Sequence, residues 1–372
     1  MKYFIIAGET SGDLHGSNLV KNLRIEDPDA IISSWGGDLM QAQGAVILKH
    51  YKELSFMGFV EVLMNIFTIF KNFSIAKKQI IAAKPDVIIL IDFPGFNLRM
   101  ASWAKKKGYK VFYYISPQIW AWKESRVHKI KKCVDEMFVI LPFEKAFYQK
   151  YNYNVHYVGH PLLDAIHERK LSQVINETLQ INDKPIIALL PGSRKQEISV
   201  MLAEMIAVCD SFPDHQFIIC GLDHHSAAFY QSIIGHKKNV SIAFNRTYDV
   251  LSIATAALVT SGTATLETAL FKVPEVVCYK GSRISYEIGK RLIKVKYISL
   301  VNLIIDKPLL TELIQDELNK DNLILHLNRI LTPAHQSYLQ QEYDALITLL
   351  GNRGASSRCA VLMTDYLQHH KS

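Results

Sequence analysis

The chain has 372 residues, 49% of them hydrophobic and 21% charged, which excludes a disordered chain and fits two domains of moderate size better than one core. Its 42 Lys+Arg against 35 Asp+Glu leave a net charge of +7. That mild excess suits phosphate groups or anionic lipid, and no nucleic-acid partner is expected.

Short β-branched runs alternate with longer helical patterns, the signature of a doubly wound α/β fold. Strands are expected at Tyr3–Ala7, Ala30–Trp35, Val87–Ile91, Lys110–Ile115 and Glu136–Ile140. Each ends in turn chemistry: Gly8, Gly36–Gly37, Pro94–Gly95, Pro117 and Pro142. A helix from Leu14 to Leu23 follows the first. Residues 160 to 184 lapse into a polar, strand-poor stretch. The alternation restarts with IIALLPGSR and continues at Gln216–Cys220, Ser241–Ala243, Ala257–Thr260 and Glu275–Tyr279. Beyond Leu303 the pattern reads as helical to the end, broken at Gly354–Ser357. Two open α/β halves without a sequence repeat predict two Rossmann-like domains, 1–164 and 165–348, facing a cleft.

Cys133, Cys209, Cys220, Cys278 and Cys359 form no CxxC pair, so free thiols in a reducing compartment are expected. The start, MKYFIIAGETSGD, lacks a small-residue cleavage site and reads as a first strand, not a signal peptide. No stretch reaches the roughly 18 to 20 apolar residues of a spanning helix. The expectation is a cytoplasmic protein attached, at most, to a membrane surface.

Four turns carry candidate chemistry. GETSGDLHG, Gly8 to Gly16, joins a strand to a helix, so its N–H groups could receive an anionic or hydroxyl-rich ligand. Glu9, Ser11, Asp13 and His15 lie in it; it is not GxGxxG, and Ser11 or Asp13 could equally cap the helix. Asp92 ends the strand VIILID before Phe93–Pro94–Gly95–Phe96–Asn97, where open α/β sheets bind ligands. If burial raises its pKa, Asp92 can take a proton from an attacking hydroxyl; otherwise it is a helix cap. Pro191–Gly192–Ser193–Arg194 places a guanidinium on a turn, fit for a diphosphate or simply for the surface. In Thr260 to Leu270, TSGTATLETAL, the residues Ser261, Gly262, Thr263 and Thr265 have the makings of a phosphate cradle. Glu267 there could hold two ribose hydroxyls.

Two stretches suit a membrane surface. FMGFVEVLMNIFTIFKNF, Phe56 to Phe73, is apolar at two-thirds of its positions and offers Phe59, Leu63, Phe67 and Phe70 as lipid contacts. A buried core helix would read the same way. The basic Lys290 to Lys296 could meet anionic lipid or a solvated face alike. His224–His225 and His369–His370 are adjacent pairs with no third ligand, so no metal site is expected. Trp122, with Trp120, could line a sugar or acyl site.

Together these stretches resemble the lipid-A-disaccharide synthase family. The resemblance rests on GETSGDLHG, MGFVEVL at Met57–Leu63, IDFPGFN at Ile91–Asn97 and SPQIWAW at Ser116–Trp122. It continues in VGHPL at Val158–Leu162, LPGSR at Leu190–Arg194 and SGTATLE at Ser261–Glu267. Gly36–Gly37–Asp38 departs from it, lacking a proline after the paired glycines. The resemblance implies the GT-B architecture, with residues 349–372 crossing back to the first domain. It implies an inverting transfer of 2,3-diacylglucosamine from UDP-2,3-diacylglucosamine to the 6-hydroxyl of 2,3-diacylglucosamine 1-phosphate, at the inner face of a bacterial cytoplasmic membrane, in lipid A biosynthesis. No cofactor and no metal are implied, and a homodimer stays open. Onto that chemistry fall Asp92 or His15 as base, and Arg194, Ser261, Gly262, Thr263, Thr265 and Glu267 on the donor. Glu9, Ser11, Asp13, Asn97 and Trp122 would touch the acceptor sugar. An epimerase acting on UDP-N-acetylglucosamine and a non-catalytic sugar-nucleotide sensor are the rival readings.

Overall fold

The computed structural model describes residues 1–54, 66–168, 183–283, 286–287, 290 and 295–370. The chain divides into two compact units, Met1–Ala165 with Leu350–Ser372, and Ile166–Leu349.

The first unit is built on seven parallel strands: β1 (Lys2–Ala7), β2 (Ile31–Gly36), β3 (Val46–His50), β4 (Val87–Ile91), β5 (Lys110–Tyr114), β6 (Glu136–Val139) and β7 (His156–Tyr157). They lie in the order β3-β2-β1-β4-β5-β6-β7. The central strands are continuous apolar runs because helices cover both faces of a parallel sheet. Side chains alternate between those faces. Phe4, Ile6, Ile88 and Leu90 pack with Phe73, Ala76 and Ile80 of the helix Ile66–Ala83. Tyr3, Ile5, Ile89 and Ile91 pack on the other side with Leu19, Val20 and Leu23 of the helix Thr10–Glu26.

That second layer is completed from the far end of the sequence. The helix Ala355–His369 brings Cys359, Ala360, Met363 and Leu367 into the same core. Its entry is pinned by side chains, since a helix start leaves backbone N–H groups unsatisfied. Asp164 accepts from the Gly354 and Ser356 N–H groups at 2.6 and 3.3 Å, and Arg358 donates twice to the Val158 carbonyl, at 2.9 and 2.7 Å.

The second unit carries six parallel strands: β8 (Ile186–Leu190), β9 (Gln216–Gly221), β10 (Val240–Phe244), β11 (Ala256–Thr260), β12 (Glu275–Tyr279) and β13 (Thr311–Ile314). Their order is β10-β9-β8-β11-β12-β13. In both sheets the strand order reverses beside the first strand of the unit, between β1 and β4 and between β8 and β11. Open α/β sheets bind ligands at the carboxyl ends of the strands at such a reversal.

Two expectations need correction. The stretch after Leu303 is not helical throughout, because β13 closes the second sheet at Thr311–Ile314. The first helix begins at Thr10, four residues before Leu14, so most of GETSGDLHG is helix and not loop. Its glycines serve close packing there: a Cβ on Gly12 would come within 3.2 Å of the Ala7 Cβ, and one on Gly16 within 2.7 Å of the Met40 sulfur.

Candidate functional site

At the first reversal, Gly8 and Glu9 leave β1 beside Asp92 and Phe93 leaving β4. The backbone at both Asp92 and Phe93 is left-handed, with φ of 44° and 47°. Side chains with a Cβ resist that conformation, at a cost of about 1–3 kcal/mol each. Three neighbours hold it. The Asp92 carbonyl accepts from the Tyr113 hydroxyl at 2.6 Å and from the Asn97 amide at 2.8 Å, and the Asp92 N–H donates to the Tyr114 carbonyl at 3.1 Å. The turn folds the Phe93 ring over Gly8, where a Cβ would stand 2.4 Å from it. Glycine at position 8 is a steric requirement of the aspartate turn. Pro94, at the first position of the helix Pro94–Lys106, stops the left-handed run by fixing its own φ.

The turn leaves the Asp92 carboxyl largely out of water. Burial, reinforced by the nearby Glu9 carboxylate and opposed by a hydrogen bond from the Phe93 backbone, pushes its pKa up to about 7. A carboxylate so poised is a competent base near neutral pH. His15, the other candidate base, is buried with Nδ1 unpartnered, and burial pulls its pKa down to about 4. A second buried imidazole, His160 of VGHPL, is pulled down to about 3, chiefly by burial and further by the nearby His15. Sequence reasoning passed over His160, although its motif was in view. Both rings are neutral at physiological pH.

Two acceptor-side expectations change. Asp13 is buried, and its carboxylate accepts from the Gly37, Leu39 and Met40 N–H groups at 2.7, 3.1 and 3.2 Å. It caps the short helix Asp38–Ala42, not its own, and is withdrawn as a sugar contact. Asn97 is fully buried, its amide shared among the carbonyls of Ile6, Ile91 and Asp92. It shapes the turn and cannot reach a sugar. Glu9 is half-buried, Ser11 exposed, and Trp122 exposed with the Arg126 guanidinium 4.6 Å from its ring centre.

At the second reversal the PGSR turn and SGTATLE enclose a pocket of about 560 Å³. Ser193, Arg194, Ser261, Gly262, Thr263 and Glu267 line it. Gly192, at φ 101°, leaves no room for a Cβ because the Glu197 carboxylate folds back to accept the Ser193 N–H at 3.0 Å. Gly262 has φ 156° and opens the helix Thr263–Leu270 with Thr263 exposed at its start. Glu267 accepts from the Tyr248 hydroxyl at 2.6 Å, which orients one carboxylate oxygen. The Ser261 hydroxyl donates to the Ile298 carbonyl at 2.9 Å, so it offers a ligand only its lone pairs. Thr265 is fully buried and donates to the Gly262 carbonyl at 2.8 Å; it braces the loop and is withdrawn as a donor contact. Thr260 was not foreseen: it lines the pocket with a buried hydroxyl that has no partner. A threonine inside an apolar strand gives no sequence signal.

A larger pocket, about 630 Å³, opens at the amino ends of the strands beside Lys184, Gln216 and Asn239. It lies at the wrong end of a parallel sheet for a reversal-point ligand. Among the described residues no group of three or more His, Cys, Asp or Glu side chains could hold a metal ion.

The sequence model of the lipid-A-disaccharide synthetase family matches residues 3–364. The chain belongs to that family. It is 37% identical over 373 residues to the lipid-A-disaccharide synthase of Geobacter metallireducens, covering 98% of this chain and 97% of that one. The synthase of Syntrophus aciditrophicus is 38% identical over 369 residues, covering 96% of each. Among solved structures, UDP-GlcNAc 2-epimerase from Neisseria meningitidis superposes with a TM-score of 0.68 at 12% identity, over 98% of this chain and 100% of that one. The CalG4 calicheamicin glycosyltransferase gives 0.60 at 15%, over 100% and 99%. At such identities the likeness is one of fold: two Rossmann-like domains in the GT-B arrangement, in a synthetase-family chain.

Of the lipid-facing expectations, Phe59, Leu63 and the Phe67 side chain fall outside the described residues, as does most of Lys290–Lys296. Phe70 is 61% exposed on its helix. No helix among the described residues is long and apolar enough to cross a membrane.

The charged Asp92 lowers stability, with a sign that follows from its raised pKa. The folded state holds the proton up to about pH 7, whereas the unfolded carboxyl releases it near 3.8, so stability falls as pH rises through that window. Asp92→Asn therefore raises the melting temperature at pH 8 and leaves it nearly unchanged at pH 4, by differential scanning fluorimetry. Equal shifts at both pH values would mean that the carboxyl is not desolvated.

Proposed function

We propose that the chain transfers 2,3-diacylglucosamine from UDP-2,3-diacylglucosamine to the 6-hydroxyl of 2,3-diacylglucosamine 1-phosphate, making the β-1,6 disaccharide and releasing UDP. Membership of the family supports the reaction. The observation that carries the assignment of roles is the Asp92 carboxyl, held in a strained turn with its pKa near 7.

Asp92 removes the proton from the acceptor 6-hydroxyl as the oxygen attacks the anomeric carbon. Its elevated pKa makes it a stronger base than an ordinary carboxylate, yet it is still ionised in useful amount at neutral pH. His15 is the weaker candidate, since a buried imidazole near 4 accepts a proton poorly. As the bond to UDP breaks, negative charge builds on the diphosphate. Arg194 and the helix start at Thr263 lie in one pocket and stabilise that charge. Glu267, oriented by Tyr248, accepts the ribose hydroxyls. Asp92 belongs to one unit, and Arg194, Thr263 and Glu267 to the other. The UDP-sugar is the only activated species the scheme requires.

The test is UDP release from UDP-2,3-diacylglucosamine in detergent, with and without the acceptor, in the presence of EDTA. Release that needs the acceptor and survives the chelator is expected. Asp92→Asn should lower it about 10²- to 10⁴-fold, the contribution of a placed general base. Release indifferent to the acceptor would move the chain toward epimerase-like chemistry.

Substrates with long acyl chains stay in a bilayer, so the enzyme works peripherally at the cytoplasmic face. The exposed Phe70 supplies the contact, and the sequence pattern adds Phe67. Phe67→Ser with Phe70→Ser should reduce co-sedimentation with anionic vesicles several-fold while UDP binding persists. Unchanged sedimentation would remove this helix from the membrane contact.

A further inference from the structure

The segment after β5 holds a cation without a counter-ion. The short helix Ile119–Trp122 runs into the 3₁₀ turn Glu124–Arg126, at the carboxyl end of the strand that neighbours β4. Arg126 is half-buried, and its guanidinium lies 4.6 Å from the ring centre of the exposed Trp122. Lys123 stands over the same ring at 5.8 Å. Glu124, the nearest carboxylate in sequence, is turned away to accept the Tyr151 hydroxyl at 2.8 Å. No ion pair or hydrogen bond joins the Arg126 side chain to a described residue, and its guanidinium rests on the indole.

A guanidinium removed from much of its water and stacked on an aromatic face keeps its edge donors free, and their planar fork matches a phosphate. The location adds the second argument. The Arg126 charge is felt by the Tyr113 phenol, whose pKa burial raises and the guanidinium lowers, and that same phenol donates to the Asp92 carbonyl. The unpaired cation therefore stands on the same edge of the sheet as the aspartate turn.

We propose that Arg126, propped on Trp122 and assisted by Lys123, is the subsite for the phosphate of the acceptor sugar. This rests on the glycosyl-transfer reading, in which the acceptor is a glucosamine 1-phosphate whose 6-hydroxyl faces Asp92. On one hexose ring the reacting hydroxyl hangs from C5 and the phosphate from C1, the two carbons that flank the ring oxygen. A base and an anion site on neighbouring strand ends would hold both groups at once and set which hydroxyl reaches the base. Binding energy from the phosphate then positions the reacting group.

The test compares two acceptors, 2,3-diacylglucosamine 1-phosphate and the same lipid with a free 1-hydroxyl, in the wild type, Arg126→Ala and Arg126→Lys. Removing a charge-assisted contact to phosphate should raise the KM for the phosphorylated acceptor about 10- to 100-fold. The donor KM should stay unchanged, and Arg126→Lys should recover part of the loss. With the dephosphorylated acceptor, wild type and Arg126→Ala should have the same KM. An equal loss with both acceptors would overturn the proposal and make Arg126 a packing residue. A rise in the donor KM alone would assign the guanidinium to the UDP diphosphate, and likewise overturn it. If the wild type transferred to neither acceptor, the transfer reading itself would be at fault.

Discussion

Everything at the amino-terminal reversal point follows from two consecutive left-handed residues, Asp92 and Phe93, at the end of β4. Here the strained backbone carries the carboxyl out of water beside Glu9 and folds the Phe93 ring over Gly8. The strain persists because the Tyr113 hydroxyl and the Asn97 amide both take the Asp92 carbonyl, and both of those residues are fully buried. Such strain survives where its surroundings over-determine it, and it concentrates at working sites. Stability is given up for a carboxyl whose pKa lies near neutrality, a trade common to active sites.

The two units solve the same problem with different material. Each sheet reverses its strand order beside its first strand, and each places its polar residues at the carboxyl ends there. The first unit sets a carboxyl of raised pKa at its reversal point, with the buried imidazoles of His15 and His160 neutral. The second presents an arginine, hydroxyls and a helix start around a pocket of about 560 Å³. That division suits a transfer in which one half accepts a proton and the other accepts the charge of a departing diphosphate.

Much of this was legible in the chain. The interior strands announced themselves because residues buried on both faces must be apolar, and VIILI, IIALL and the FIIC of QFIICG are so. The strands that escaped notice, β3, β7 and β13, all lie at sheet edges. Paired on one side only, β3 has exposed positions at Val46 and Leu48 and β13 needs only TELI, so neither writes a clear pattern. Asp92, Arg194 and Glu267 could be picked out because turn chemistry and strand ends mark them. Asp13, Asn97 and Thr265 were misjudged for a shared reason. Their polar groups satisfy backbone atoms distant in sequence or hidden in a loop, and a motif does not say whether its polar residues face a ligand or the backbone. Tyr113 gave no signal, since its hydroxyl meets the Asp92 carbonyl only in the fold.

If the desolvated Asp92 is the base, its ionisation governs the pH dependence of kcat/KM. The unprotonated carboxylate is the active form, so the wild-type rate should fall tenfold per unit below about pH 7 and level off above it. In Asp92→Asn the residual rate should lose that inflection. A wild-type profile flat from pH 5 to 9, or an inflection retained in the asparagine variant, would contradict the account and assign proton removal to another group.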